Sequence, residues 1–226
     1  MLKLRSLIGL LPFLSIVFAP AAMAEDLTAQ FDAKHKSCLE RIAQDNEQAF
    51  EEAMMWQDDG GGRRAKHCVA MALFALGHED EAAHRLEALA KAPDGGTPAM
   101  RANFYAEASN FWLLAGEANN ALRSTGEGLK ISEAHVDLRI AHARALAMAK
   151  NYEAAEEHLS YIVAQHPINA DARRYLADTH YQQDRFDEAK RVIETALDLD
   201  PASVETALLR GRINEAIRTG TKPGAP

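Results

Sequence analysis

The chain has 226 residues, of which 47% are hydrophobic, 26% are charged and only 7% are aromatic. This length is ample for one continuous hydrophobic core, and few aromatic residues beside abundant alanine favour closely packed helices. The formal net charge of −8 argues against nucleic acid as a partner, because phosphate binding requires a basic face.

Residues 1–24 have the pattern of a secretory signal peptide. Lys3 and Arg5 give a basic start, an apolar run follows, and small residues stand at the two positions that a signal peptidase reads. The pattern predicts cleavage between Ala24 and Glu25. The apolar run is too short for the roughly 20 residues of a membrane span, and no later stretch approaches that length. We therefore expect an exported, periplasmic or secreted protein with no membrane span, and an uncleaved anchor helix is the alternative.

Residues 25–62 are predicted to form two short helices. Apolar side chains recur at steps of three and four from Leu27 to Ile42, which is typical of a helix with one buried face. A break with a new N-cap follows at Asp45, and a second apolar stripe ends at Trp56. A run of three glycines then provides a flexible turn.

Cys38 and Cys68 are the only cysteines of the chain. Export would take them to an oxidising compartment, where a disulfide would close a loop of about 30 residues and stabilise the fold by roughly 3–4 kcal/mol. Two buried free thiols are one alternative. A metal site with His35 and His67 is another, but neighbouring residues on a helix point about 100° apart, so His67 and Cys68 do not readily share one ion. We predict the disulfide and no metal.

From about residue 63 onward the chain repeats itself. Ala121, Ala155 and Ala189 lie 34 residues apart, and Pro167 and Pro201 keep the same interval. A period of this length indicates stacked helical hairpins. Small residues allow the two helices of a hairpin to approach closely, and proline ends a unit because the residue before it resists the helical conformation.

The unit at about residues 169–201 carries the clearest pattern. Its first helix holds a large residue, a leucine, a small residue and a tyrosine, and its second holds a small residue followed by bulky ones. These residues are Tyr175, Leu176, Ala177 and Tyr181, and then Phe186, Ala189, Ile193 and Ala196. The chain thereby resembles the tetratricopeptide repeat (TPR) family over about residues 63–201. The resemblance implies an all-α fold, a right-handed α-solenoid of helical hairpins with an N-terminal helical cap and a C-terminal capping helix.

These patterns, together with the resemblance, divide the chain into segments. These are a signal peptide at 1–24, an N-terminal helical cap at 25–62, four TPR-like repeats within 63–201 (about 63–96, 102–135, 136–169 and 170–203), a C-terminal capping helix at 202–218 and a disordered tail at 219–226. Five extra residues between the first two repeats fit a turn-rich loop at 93–98. In the second repeat, Thr125 and Gly128 occupy positions where the family prefers larger side chains, so we expect that repeat to pack loosely.

No pattern in the chain indicates catalysis or a cofactor. Three glycines before Arg63 and Arg64 precede a helix whose amides could hold an anion, but they lack the Gly-Lys-Ser/Thr ending of a P-loop. His78 and His84 lie six residues apart, whereas two zinc ligands on one helix face lie four apart. We therefore predict no catalytic residues, no cofactor and no metal.

In TPR arrays the first helix of each hairpin lines a concave face. Carried over to this chain, the resemblance implies a peptide-contacting set of Asn110, Arg144, Arg174, Asp178 and Tyr181. An asparagine amide can bond a peptide backbone, and a tyrosine ring can supply rigid contact area. The alternative is that these side chains form a solvated helix face. The chain does not reproduce the Lys/Asn/Arg pattern by which some TPR domains hold a C-terminal carboxylate, which disfavours that mode.

The leading hypothesis is a non-catalytic adaptor or scaffold that binds a peptide segment of an envelope protein in the concave TPR groove. Its partner is a protein or peptide, and neither nucleic acid nor a membrane span is expected. The alternative is a self-associating structural module of the cell envelope, because repeat stacks present open hydrophobic ends. This alternative implies a homo-oligomer.

Overall fold

The computed structural model describes the backbone of residues 21–222 and the side chains of residues 27–222. Within these residues the regular structure is entirely α-helical, so the predicted fold class is confirmed. Residues 1–20 of the predicted signal peptide and residues 223–226 of the predicted tail lie outside the described part of the chain. The first helix begins at Ala21, before the predicted cleavage point.

Eleven helices occupy the described residues, and short turns join them into antiparallel pairs. Their bounds in chain order are α1 (Ala21–Ile42), α2 (Asn46–Asp58), α3 (Gly62–Ala75), α4 (Glu79–Lys91), α5 (Pro98–Leu114), α6 (Ala118–Ile131), α7 (Val136–Met148), α8 (Tyr152–Gln165), α9 (Ala170–Gln182), α10 (Phe186–Leu199) and α11 (Val204–Thr219). Each helix packs on the next along the chain, and α7 also contacts α5 and α9. The pairs α3/α4, α5/α6, α7/α8 and α9/α10 therefore stack as successive hairpins.

Polar side chains explain where several helices begin. The Thr97 hydroxyl accepts a hydrogen bond from the backbone N–H of Met100 at 3.3 Å, and Pro98 takes the first position of α5, where no backbone donor is needed. The Asn169 side chain caps α9 in the same way, accepting from the N–H of Ala172 at 2.8 Å. The loop between the first two repeats thus leads directly into a capped helix.

The turn inside each repeat contains one residue in the left-handed conformation. These residues are Gly77 (φ 82°), Gly116 (φ 79°), Lys150 (φ 62°) and Asp184 (φ 61°). A left-handed residue at this point ends the first helix and reverses the chain. Because the four residues follow the intervals of the repeats, all four hairpins close in the same way.

A buried alanine stands at the equivalent position of every second helix. Ala82, Ala121, Ala155 and Ala189 all have no solvent exposure, and they lie in α4, α6, α8 and α10. A larger side chain at this position would push the two helices of the hairpin apart. The periodic alanines of the sequence therefore set the separation of the helices.

The N-terminal region continues the stack. α1 packs on α2 and α3, and α2 packs on α3, which is the same set of contacts as among α5, α6 and α7. The ring of Phe31 in α1 stacks on that of Trp56 in α2, with centroids 6.2 Å apart. The region predicted as a cap thus has the arrangement of a further hairpin, although its sequence does not share the 34-residue period.

The hydrophobic core is distributed unevenly along the stack. One continuous cluster of buried residues extends from Ala53 in α2 to Ala145 in α7, and it includes the large side chain of Trp112. The C-terminal half contains three smaller clusters, two of which lie around Ile162 and Ile193. The first two repeats therefore bury more apolar surface than the last two.

The second repeat packs tightly, contrary to the prediction of loose packing. A Cβ atom on Gly128 would lie 2.7 Å from a methyl carbon of Leu138 and 2.9 Å from Cβ of Tyr105, so only glycine fits without displacement. Thr125 is fully buried, and its hydroxyl donates to the carbonyl oxygen of Ala121 at 2.9 Å. The small side chains that suggested loose packing are the points where the neighbouring helices come close.

Two glycines of α6 provide a matched test of this packing. Gly126→Ala places a methyl group where no other atom lies within 4 Å, so we expect helix propensity to raise the free energy of unfolding by about 0.5–1 kcal/mol. Gly128→Ala gains the same propensity but presses its Cβ against Leu138 and Tyr105, so we expect a net loss of about 1–3 kcal/mol. Urea unfolding followed by circular dichroism measures both variants. Similar effects of the two substitutions would show that the second repeat is loosely packed.

Candidate functional site

Four polar side chains form a row along the first helices of the repeats. Asn110 of α5, Arg144 of α7, Asp178 of α9 and Arg212 of α11 follow one another at intervals of 34 residues. Because successive hairpins stack in register, residues one period apart occupy the same place on successive helices. We refer to these four residues as the polar row.

Two uncharged neighbours hold Arg144 in position. Its Nη1 donates to Oδ1 of Asn110 at 2.6 Å, and its guanidinium carbon lies 4.8 Å from the centroid of the Tyr175 ring. Arg174 lies 4.1 Å from the same centroid, and its Nη2 donates to Oδ1 of Asp171 at 2.9 Å. An aromatic face stabilises a guanidinium through its quadrupole. The charge of Arg144 is thereby oriented, but among residues 27–222 no carboxylate oxygen lies within 4.0 Å of it.

Asp178 is half-buried and also lacks a close ion pair. Burial raises the pKa of its carboxyl, while the positive charges of Arg212, Arg174 and Lys222 act in the opposite direction. Its side-chain contact is Nε2 of Gln182, at 3.5 Å from Oδ1. Within residues 27–222, no basic nitrogen lies within the 4.0 Å of an ion pair from this carboxylate. Asp178 therefore resembles Arg144 in having a charge without an opposite partner.

A cleft of about 390 Å³ opens beside these two charges. Leu113, Met148 and Tyr175 contribute its apolar wall, and Arg144 and Asp178 contribute its charged wall. Sites that bind ligands are commonly concave spaces of about 300–1,000 Å³ with a largely apolar lining and a few placed polar groups. The cleft has the size and the lining of such a site.

The structure brings together four of the five predicted groove residues and corrects the fifth. Asn110, Arg144, Arg174 and Asp178 are half-buried on the first helices of their repeats. Tyr181, predicted to supply contact area, is only 4% exposed. Its ring packs in the cluster that joins α9, α10 and α11, with its centroid 5.8 Å from that of Phe186. Tyr181 supports the fold because α11 covers it.

Sequence reasoning missed Arg212, which extends the polar row onto the last helix. Its side chain is exposed, and its guanidinium carbon lies 6.0 Å from the centroid of the Tyr181 ring. The 34-residue interval from Asp178 is the signal that would have found it. Because α11 was predicted only as a capping helix, its equivalence to the first helix of a repeat was not recognised.

A second polar cluster joins α1, α3 and α5. Nε2 of His35 lies 2.9 Å from Nδ1 of His67, and Nε2 of His67 lies 2.8 Å from Oε2 of Glu107. Cys38 and Cys68 form the predicted disulfide on the same seam, with Cα atoms 6.3 Å apart. Sequence reasoning placed the histidines near the cysteines but missed Glu107, because that contact depends on how α3 packs against α5.

Two features are absent from the described residues. Residues 27–222 contain no group of three or more His, Cys, Asp or Glu side chains arranged to hold a metal ion. Among the described helices, none combines the length and the apolar character that crossing a bilayer requires.

Residues 146–213 match the family model of the tetratricopeptide repeat. This part of the chain contains tetratricopeptide repeats. The match extends from the end of α7 into α11, and so it includes the segment that carries Asp178 and Arg212. No curated protein matches the sequence.

Solved structures of TPR proteins share the fold. TTC0263, a thermophilic TPR protein of Thermus thermophilus, matches with a TM-score of 0.60 and 17% identity over 81% of this chain and 99% of that one. MamA from Desulfovibrio magneticus RS-1 (41-end) gives a TM-score of 0.56 and 18% identity over 70% and 85%. YrrB, described as a TPR protein with an unusual peptide-binding site, gives 0.55 and 16% over 75% and 85%. At these identities the likeness shows the fold alone.

Partial burial of His35 beside His67 makes the packing of α1 on α3 sensitive to acid. Burial first, and then the charges of His67 and Arg64, lower the pKa of His35 from 6.5 to about 4, although Asp32 and Glu107 act in the opposite direction. A detached or unfolded α1 would have the ordinary histidine pKa of about 6.5, so it binds more protons than the folded state between pH 6.5 and pH 4. The contribution of this contact to stability is therefore fully present above about pH 6.5 and is lost as the pH falls towards 4.

We expect acidification from pH 7 to pH 5 to destabilise the wild-type protein more than the His35→Gln variant. The variant cannot gain the extra proton, so its pH dependence loses the part that comes from His35. Urea unfolding followed by tryptophan fluorescence measures the effect, because Trp56 contacts Phe31 of α1. His166→Gln, at an exposed histidine, is the control and should behave as the wild type. Equal pH dependence in wild type and His35→Gln would contradict this assignment.

Proposed function

We propose that this protein is an exported, non-catalytic adaptor that binds a peptide segment of another cell-envelope protein in the cleft beside Arg144 and Asp178. The observation that carries the proposal is the state of these two charges. Both are half-buried at one cleft, and neither has an opposite charge within 4.0 Å among residues 27–222. Partial burial of an unpaired charge costs free energy, and a ligand that pairs with it offsets that cost.

The shape of the site and the fold comparison support a peptide as the ligand. The polar row crosses successive helices in a line, which suits an elongated ligand better than a compact one. Among proteins of this fold, YrrB is described as having a peptide-binding site. The proposal involves recognition only and contains no catalytic step.

The proposed location rests on the sequence of residues 1–24 and is supported by the disulfide. Disulfides persist in oxidising compartments such as the bacterial periplasm and are rare in the cytosol. Cys38 and Cys68 join α1 covalently to α3, the first helix of the repeat that follows. The cell envelope is therefore where the partner should be sought.

Affinity capture with matched variants tests this proposal. Tagged wild-type protein and the variants Arg144→Glu, Asp178→Lys and Arg191→Glu are each incubated with a cell-envelope extract, and recovered proteins are quantified by mass spectrometry. Arg191 is exposed on α10 outside the cleft, so its variant has the charge change of Arg144→Glu without altering the site. We expect one partner that the wild type and the Arg191→Glu control recover equally. Its recovery should fall at least about tenfold with both cleft variants. Equal recovery by all four proteins would contradict the proposal.

Self-association is the second candidate, and α11 carries the observation that favours it. Val204 and Leu208 lie one turn apart on this helix and are 65% and 64% exposed. In a longer array the next hairpin would cover a face of this kind. This candidate predicts that the mass measured by sedimentation equilibrium rises with protein concentration and that Leu208→Lys abolishes the rise. A monomer at every concentration would eliminate it.

A further inference from the structure

The charges of the polar row alternate in sign along the stack. Arg144, Asp178 and Arg212 stand on α7, α9 and α11 at one repeat position, so the order along the groove is positive, negative, positive. Asn110, one period before Arg144, is uncharged and accepts its hydrogen bond. The three charged members occupy consecutive first helices.

Two charged neighbours of the row have ion pairs, whereas the three charged members of the row do not. Close by, Arg174 pairs with Asp171 at 2.9 Å, and Lys222 pairs with Asp184 at 3.0 Å. Within residues 27–222, the three charged members of the row have no opposite charge within 4.0 Å, and their neighbours are an amide or an aromatic ring. Arg174 and Lys222 therefore have opposite charges within the protein, whereas the charges of the row are available to a ligand.

We infer that the groove recognises an extended peptide segment whose charges alternate as acid, base, acid, each opposite one member of the row. This inference deepens the proposed function and rests on it. An acidic residue faces Arg144, a basic residue faces Asp178, and a second acidic residue faces Arg212. Each contact places opposite charges together, and the reversed pattern would place like charges together at all three positions.

Helix geometry fixes the spacing of the three ligand residues. Helices in contact lie about 8–10 Å apart, and an extended chain rises about 3.3 Å per residue. One step along the row therefore corresponds to about three residues, which gives the pattern acid-x-x-base-x-x-acid. The pattern reads the same in both chain directions, so it holds whichever way the peptide lies. Between the charged residues, the apolar wall of Leu113, Met148 and Tyr175 can contact the intervening side chains.

Because Asp178 is half-buried, the central residue of the peptide has the strictest requirement for an opposite charge. Burial raises the pKa of the Asp178 carboxyl, so the ionised form is less stable in the cleft than in water. A lysine or arginine of the ligand would restore a favourable environment for that charge. Arg212 is exposed, so solvent and salt weaken its contact more than those at Arg144 and Asp178.

Three labelled peptides with identical spacers test the pattern on the full chain. They carry E-x-x-K-x-x-E, the same residues reordered as E-x-x-E-x-x-K, and the reversed K-x-x-E-x-x-K. Fluorescence anisotropy at low and at high salt gives their dissociation constants. We expect the first peptide to bind at least about tenfold more tightly than the other two at low salt, with a smaller difference at high salt. The protein's net charge of −8 would by itself favour the third peptide, so it works against this result.

Variants of the row make the test specific to these residues. The swap Arg144→Asp/Asp178→Arg/Arg212→Asp should prefer K-x-x-E-x-x-K, provided that circular dichroism shows it folded. Arg212→Asp alone alters an exposed side chain and leaves the core intact, and it should weaken E-x-x-K-x-x-E binding by about three- to tenfold. Arg191→Asp is the matched control on α10 and should change nothing.

Equal binding of the two isomeric peptides to the wild type, or no binding of either, would overturn the inference. Unchanged binding of E-x-x-K-x-x-E to the Arg212→Asp variant would also overturn the inference. The capture experiment judges the proposed function separately. The capture experiment could identify a partner that the cleft variants fail to recover and whose bound segment lacks the acid-base-acid pattern. That result would support the proposed function and contradict only the inferred charge pattern.

Discussion

The separation between the two helices of each hairpin determines the rest of this structure. Ala82, Ala121, Ala155 and Ala189 bring no atom beyond Cβ into the space between the helices of their pairs, and each is fully buried. With that separation repeated, and with a left-handed residue closing each of the four repeats, each repeat nearly copies the one before it. The regular spacing of the polar row follows from this packing. The charges stand at the same 34-residue interval as Ala121, Ala155 and Ala189 of the second helices, without any direct contact between one charge and the next.

The sequence was sufficient for the parts of the fold that depend on this spacing. The period of Ala121, Ala155 and Ala189 predicts the stacked hairpins, and the disulfide follows from two cysteines with a predicted export signal. The hairpin of α1 and α2 could not be assigned as a repeat, because residues 25–62 lack the period that defines the others. The packing around Gly128 was predicted wrongly for a related reason. Its missing side chain suggests a gap until the positions of Leu138 and Tyr105 show that the space is filled.

The positions of the candidate site residues were predicted in part, and two of the failures, at Tyr181 and Glu107, share one physical cause. Asn110, Arg144 and Asp178 lie on the first helices of their repeats, as predicted, because their positions depend only on their own helices. Tyr181 was assigned to the surface because its burial depends on α11, an element outside the complete repeats. Glu107 was missed because its contact with His67 joins helices 40 residues apart in sequence. Periodicity predicts which face of a helix a residue occupies, but it does not predict what the next element covers.

The uneven core has a consequence for how tightly the groove can hold a ligand. The continuous cluster lies between α2 and α7, whereas α9, α10 and α11 depend on smaller clusters. Local opening requires less free energy where less apolar surface is buried, so the C-terminal hairpins separate more readily than those before them. Two of the three charged row members lie on these more loosely held helices, and a ligand must bridge them to α7. Part of the binding free energy then holds the C-terminal helices against α7. The affinity for the ligand therefore increases with the local stability of these helices. Substitutions in the small clusters, far from any ligand contact, can therefore adjust binding strength while leaving specificity intact.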